Sequence, residues 1–291
     1  MSRIHLLLLA GVVLSATSSI FVKFVHAHAF VISFYRVFFA GLIWFLFLAP
    51  RLKRELRGLD RGQWGLSFLS GLSLACYYGA WISSLSHTSI ANASVLGGLC
   101  PVFVALISWL VFKKGISRRA MAGIGLCVAG SFLLVAGKME FGMAGIRGDL
   151  LALLGAFCIS GYYMAGGHLR RSMALKTYIT LVYLSAALVL FILVRLAELP
   201  LAGYGAGETA VMIAHAVACS VLGHGIYNYV LEKLPPVTLA LATLAEPVFA
   251  VAFAMVIFRE SLDLATIAGM VVILGGLVIY HLPAKGSDRL Q

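Results

Sequence analysis

Charge is what this chain lacks most. Only 11% of its 291 residues are Asp, Glu, Lys or Arg, while 62% are hydrophobic. A water-soluble core cannot hide that much apolar surface, so composition selects a polytopic membrane protein. Acidic residues are rarer still, 11 against 22 Lys and Arg, which leaves a formal net charge of +11. A nucleic-acid surface would gather those cations on one face. Here they sit in short loops between apolar runs, which excludes nucleic acid as a partner. The five cysteines (Cys76, Cys100, Cys127, Cys158 and Cys219) are scattered singly, with no CxxC pair. Free, packed thiols are expected rather than disulfides or a metal cluster. No Walker A loop, HExxH or GxSxG motif occurs, so ATP-driven pumping and hydrolysis have no visible site. No span carries the arginine ladder of a voltage sensor. No cofactor is implied.

What is present is a series of apolar runs. A helix needs about 20 apolar residues to cross a bilayer. Runs of that kind lie near 4–25, 30–49, 63–85, 90–112, 117–136, 148–169, 177–197, 208–231, 236–258 and 263–282. The first resembles a signal peptide, with Arg3, a Leu-rich run and Ala27-His28-Ala29. Its apolar stretch continues to about Val25, too long for a signal core, and it is kept as span 1. The expected fold is therefore all-α, with ten transmembrane helices.

Those ten spans fall into two halves. A shift of 146 residues places Pro101-Val102-Phe103 on Pro247-Val248-Phe249 without a gap. The same shift puts Gly79 on Gly225, Phe112 on Phe258, Gly123 on Gly269 and Gly130 on Gly276. So long a period argues for two fused halves rather than a solenoid. Five spans per half is an odd number, so the second half should cross the membrane upside down, the pattern of secondary transporters. The expected domains are residues 1–145 and 146–291.

Lys and Arg set the orientation. With the N-terminus in the cytoplasm, 16 of the 22 fall in inside segments, among them Arg51, Lys53, Arg54, Arg57, Arg170 and Arg171. Five fall outside (Lys23, Lys138, Arg147, Arg195 and Arg259), and Arg36 lies within a span. Both termini should face the cytoplasm. Small residues recur every four positions at Gly71, Ala75, Gly79 and Ser83, and at Gly11, Ser15 and Ser19. Such stripes let helices approach closely in lipid.

Several stretches resemble the EamA family of the drug/metabolite transporter superfamily. Its span 1 pattern is matched by Gly11, Ser18 and Lys23, with Ser15 in place of the usual Trp and Ala16 in place of Gly. Phe34-Tyr35-Arg36-Val37-Phe38-Phe39-Ala40 is similar to the Arg-containing start of span 2, and Glu246-Pro247-Val248 with Arg259-Glu260 to the landmarks of span 9. The resemblance covers essentially the whole chain. It implies two five-helix inverted repeats forming a basket around a central cavity. It also implies export of amino acids or other small metabolites from a multi-pass protein of the inner (cytoplasmic) membrane.

The candidate site residues are few. Glu246 is the only acidic residue deep within a span, about 15 Å from its inner end by helical rise. A carboxylate there is expensive and suggests function, as substrate ligand or proton carrier. It could equally satisfy backbone groups freed by Pro247. Pro101 and Pro247 mark helix breaks. Arg36, about 10 Å below the outer end of span 2, could bind a substrate carboxylate, lock helices through carbonyls, or pair with Glu246. Tyr78, Trp81, Tyr163 and Tyr227, with Asn228, are central enough to line a substrate pocket. Interfacial belts suit Trp44 and Trp64 better. His215 and His224 are poorly aligned for a metal pair, and His26 and His28 should be solvated near the outer surface.

The sequence thus points to a secondary active transporter of a small organic solute, a monomer or homodimer in the lipid bilayer. An intramembrane enzyme or passive channel is the alternative. An enzyme would need a reactive constellation, whereas only isolated ionisable groups are visible.

Overall fold

Inside lipid, only helices and closed barrels satisfy every backbone group within the element itself. The described apolar runs of this chain form helices. A computed structural model describes residues 3–85, 87–88, 93, 96–113, 117–134, 145–259 and 263–281. In chain order the helices are α1 (Arg3–Ala16), α2 (Ser18–Lys23), α3 (Ala29–Leu48), α4 (Leu52–Arg57) and α5 (Arg61–Leu85). They continue with α6 (Cys100–Phe112), α7 (Arg118–Leu134), α8 (Ile146–Leu169), α9 (Leu175–Leu196) and α10 (Ala206–His215). A π-helical segment, Ala216–Gly223, joins α10 to α11 (His224–Val230). The last are α12 (Pro236–Thr243), α13 (Glu246–Phe258) and α14 (Leu264–His281).

Among the described residues, six helical stretches are long and apolar enough to cross a membrane: Arg3–Lys23, Ala29–Arg57, Ile146–Leu169, Leu175–Leu196, Ala206–Val230 and Pro236–Ile257. Cys100–Val111 and Leu264–Tyr280 are shorter apolar helices. The difference from ten has identifiable sources. The expected span at 63–85 is the 25-residue helix α5, but Ser67, Ser70, Gly71, Ser73 and Gly79 dilute its hydropathy. The span at 117–136 contributes the 17 residues of α7. Part of the span at 90–112 lies outside the described residues, as does Glu260.

Helix α5 packs on α8 and α9, and α3 on α9. A large core contains the buried rings of Tyr78, Tyr162, Tyr163, Tyr178, Tyr183 and Tyr227. Outward positions are apolar as well: Leu46, Val111, Val256, Leu264 and Val271 are all exposed, as a lipid-facing surface requires. A smaller core joins Ala105, Ile124, Cys127, Leu241, Leu244, Val248 and Ile273.

That second core contains a close helix pair, α7 against α14. A β-carbon added at Gly130 would lie 2.7 Å from Ile273 N and 2.9 Å from Gly269 O. One added at Gly276 would meet Cys127 Sγ at 2.7 Å and Gly123 O at 2.9 Å. Cys127 Sγ donates to Ile273 O at 3.5 Å. As residue number rises along α7 it falls along α14, so the two helices run antiparallel. Each contact also joins positions matched by the 146-residue shift, directly at Cys127–Ile273 and crosswise at the glycines.

Because backbone atoms form the walls, the seam has little room to relax. Gly130→Val should cost roughly 1–3 kcal/mol, the range for overpacking a close-packed site. At Gly275, an added β-carbon meets nothing within 4 Å, so Gly275→Ala should be neutral or slightly stabilising. Thermal unfolding of the two variants in one detergent tests the seam. Equal melting points would contradict it.

Candidate functional site

Among the described residues, the membrane-length stretches Arg3–Lys23, Ala206–Val230 and Pro236–Ile257 are each interrupted partway along, and α1 packs against the other two stretches. The first lies between α1 and α2, where Thr17 Oγ1 donates to Leu14 O at 2.6 Å. The second is the π-helical segment, whose wider turn shifts carbonyls out of the regular ladder. The third is the pair Leu244–Ala245 between α12 and α13. Thr17 Oγ1 and Cys219 Sγ are 3.4 Å apart. Small residues permit the approach. A β-carbon at Gly223 would sit 2.7 Å from Ser15 Oγ, and one at Gly11 would sit 3.1 Å from the Tyr227 ring.

Glu246 is the first residue of α13, where a carboxylate complements the helix dipole. Pro247 follows within the first turn, a position whose N–H has no helical partner in any case. Pro101 holds the same place in α6, after the turn at Gly98–Leu99. Both prolines thus sit just beyond a break, at the start of the next helix. The Glu246 carboxylate reaches across to α11, where Tyr227 Oη donates to its Oε1 at 2.7 Å. Among the described residues, it makes no hydrogen bond to the backbone around Pro247. Glu246 stays half-buried while Tyr227 is fully buried.

Arg36, on α3, is buried among neutral partners. Its Nε donates to Ser220 Oγ at 2.8 Å and its Nη1 to Ser18 Oγ at 3.3 Å. The guanidinium lies 5.4 Å from the centre of the Tyr78 ring. Ser18 Oγ and His215 Nε2 share a 2.7 Å hydrogen bond, and Tyr183 Oη donates to Ser220 O at 3.1 Å. Arg36 does not pair with Glu246. The bundle therefore holds a cation and a carboxylate in separate hydroxyl-lined settings.

Of the remaining candidates, Asn228 turns away from this group. Asn228 Nδ2 donates to His224 O at 2.8 Å, and Tyr162 Oη donates to Asn228 Oδ1 at 2.9 Å. Asn228 thus points to α8 and not towards Glu246. Tyr163 is buried in the core, its ring 5.5 Å from that of Tyr162. Trp81 is half-buried, and a β-carbon at Gly97 would lie 2.6 Å from its ring. His215 stacks on Phe21 at 5.6 Å, and the His224 ring lies tilted against that of Tyr227 at 5.2 Å. His28 caps α3, accepting from Phe30 N, and His26 N donates to Glu208. Sequence reasoning missed Ser220 and Tyr183, whose hydrogen bonds depend on neighbours far away in the chain. It also counted Arg170 as a loop cation. That side chain is buried, bonded to Asn228 O, Met173 O and Glu232. Its place next to the run ending at Leu169 was no signal of burial.

Residues 2–136 and 146–281 each match the model of the EamA-like transporter family. A protein of Archaeoglobus fulgidus named as an uncharacterized transporter is 28% identical, over 96% of this chain and 97% of its own. A WAT1-related protein of Arabidopsis thaliana is 26% identical, over 77% of this chain and 70% of its own. One crystal structure superimposes with a TM-score of 0.82 and 18% identity, over 97% of both chains, a likeness of fold. With both halves matched across nearly the full length, the chain belongs to the EamA-like transporter family, within the drug/metabolite transporter superfamily.

Proposed function

We propose that this membrane transporter is a secondary active carrier that works by alternating access and exports a small organic solute, an amino acid or related metabolite. Residues 1–145 and 146–291 act as two five-helix repeats of opposite orientation, ten helices in all, which rock about a central site. The antiparallel α7–α14 seam supports that symmetry. Both termini face the cytoplasm in this reading, which the Lys and Arg bias supports; labelling of single cysteines from the two sides checks it, and an extracellular N-terminus would refute it.

The observation that carries the reading is the Glu246–Tyr227 contact at the break between α12 and α13. Interrupted helices near the bilayer midplane are where carriers of this kind place substrate and coupling ions. The matching position in the first half is Cys100, so the carboxylate serves one half only. Arg36, with Tyr78 beneath it, and Trp81 and Tyr163 complete the proposed pocket.

A thermal-shift screen of purified protein against amino acids, nucleosides and organic cations finds the solute, since a ligand stabilises by mass action. Proteoliposomes preloaded with that solute should then show saturable counterflow. Non-saturating flux would indicate a channel and overturn the carrier reading. Trp81→Ala should weaken apparent solute affinity roughly tenfold, the scale of one lost aromatic contact. Unchanged affinity at matched abundance would remove Trp81 from the pocket.

A further inference from the structure

At one end of the bundle a crevice of about 170 Å³ opens between the α4–α5 turn and the α8–α9 turn. Arg54, Glu55, Gly58 and Gln63 form one wall; Ser172, Met173 and Ala174 form the other. The walls are held from behind. Gln63 and Asp60 cap each other reciprocally at the start of α5 (Gln63 N to Asp60 Oδ1, 2.8 Å; Asp60 N to Gln63 Oε1, 3.2 Å). Gln63 Nε2 donates to Ser172 Oγ at 3.2 Å and Thr177 Oγ1 to Glu55 Oε2 at 3.2 Å. Arg170 fixes the Met173 carbonyl.

Two charges of opposite sign remain available. The Arg54 guanidinium makes no hydrogen bond or ion pair among the described residues, and Glu55 keeps its second oxygen after Thr177 takes the first. As neighbours on a helix they do not face each other. The crevice lies at the ends of α3, α5 and α9, where Phe47 and Trp64 are exposed and Lys176 sits 5.7 Å over the Phe47 ring. Exposed rings beside cations are the pattern of a membrane–water interface.

We infer that this crevice binds the headgroup of a phosphatidylethanolamine, with the phosphate on Arg54 and the ammonium on Glu55. A glycerol headgroup brings the same phosphate to Arg54 but only neutral hydroxyls to Glu55, and so lacks the charge-assisted bond that an ammonium makes. A choline headgroup has no N–H to donate to that oxygen. Because the wall is already fixed, little ordering is lost on binding. The inference does not depend on the transport reading.

The test uses delipidated full-length protein and native mass spectrometry, with phosphatidylethanolamine, phosphatidylglycerol and phosphatidylcholine of the same acyl chains. Phosphatidylethanolamine should bind about tenfold more tightly than either other lipid, the scale of one charge-assisted hydrogen bond. Glu55→Gln should erase that preference, and Arg54→Gln should weaken all three lipids. Arg54 is exposed and bonds none of the described residues, so its variant decides the matter even if Glu55→Gln fails to fold. Equal binding of the three lipids by the wild type, or unchanged binding by Arg54→Gln, would overturn the assignment. So would stabilisation by soluble O-phosphoethanolamine as strong as that by the lipid, since the ligand would then come from solution.

Discussion

Glu246→Gln is expected to abolish proton-driven accumulation of solute in proteoliposomes while leaving downhill exchange intact. Glutamine keeps the length of the side chain and an oxygen that Tyr227 can donate to, but it does not titrate. Since the contact that positions Glu246 is the 2.7 Å bond from Tyr227, the variant should change stability by less than about 1 kcal/mol. Glu246→Leu is the opposite control. It leaves the fully buried Tyr227 hydroxyl without its acceptor, which should cost about 1–3 kcal/mol. Transport and thermal unfolding, measured on both variants over a range of pH, separate the two roles. Retention of full proton-driven accumulation by Glu246→Gln would leave Glu246 as an anchor joining α11 to α13 and remove it from coupling.

A second large effect is expected at Arg170→Met. The guanidinium is 3% exposed, whereas its ion-pair partner Glu232 is 43% exposed. Its Nε also donates to Asn228 O at 3.0 Å, at the end of α11, and its Nη1 to Met173 O. Removing it strands two carbonyls next to buried side chains, and the loss should be about 2–4 kcal/mol. Glu232→Gln touches only the solvated arm of the cluster and should cost less than about 1 kcal/mol. Chemical or thermal unfolding of the two variants tests this order. Equal losses would mean that the ion pair, and not the carbonyl bonds, holds the α8–α9 turn to α11.

Sequence alone determined the class of this protein and its family. Hydropathy is a sum over local composition, so apolar runs disclose membrane helices without any knowledge of their partners. Pro101 and Pro247 stood out because a residue without an N–H is tolerated at few helix positions. Both fall at the start of a helix just beyond a break. Glu246 and Arg36 stood out because a charge within a span is expensive whatever surrounds it. Tertiary structure decided what those charges touch. That Arg36 bonds Ser220 and Ser18 rather than Glu246 depends on helices far apart in sequence. The π-helical turn at Ala216–Gly223 has no local composition that marks it. Arg170 reads as one more basic loop residue until the fold brings the end of α11 over it. In each case the deciding energy is a long-range contact, made only when the helices have packed, and residue type and spacing do not encode it.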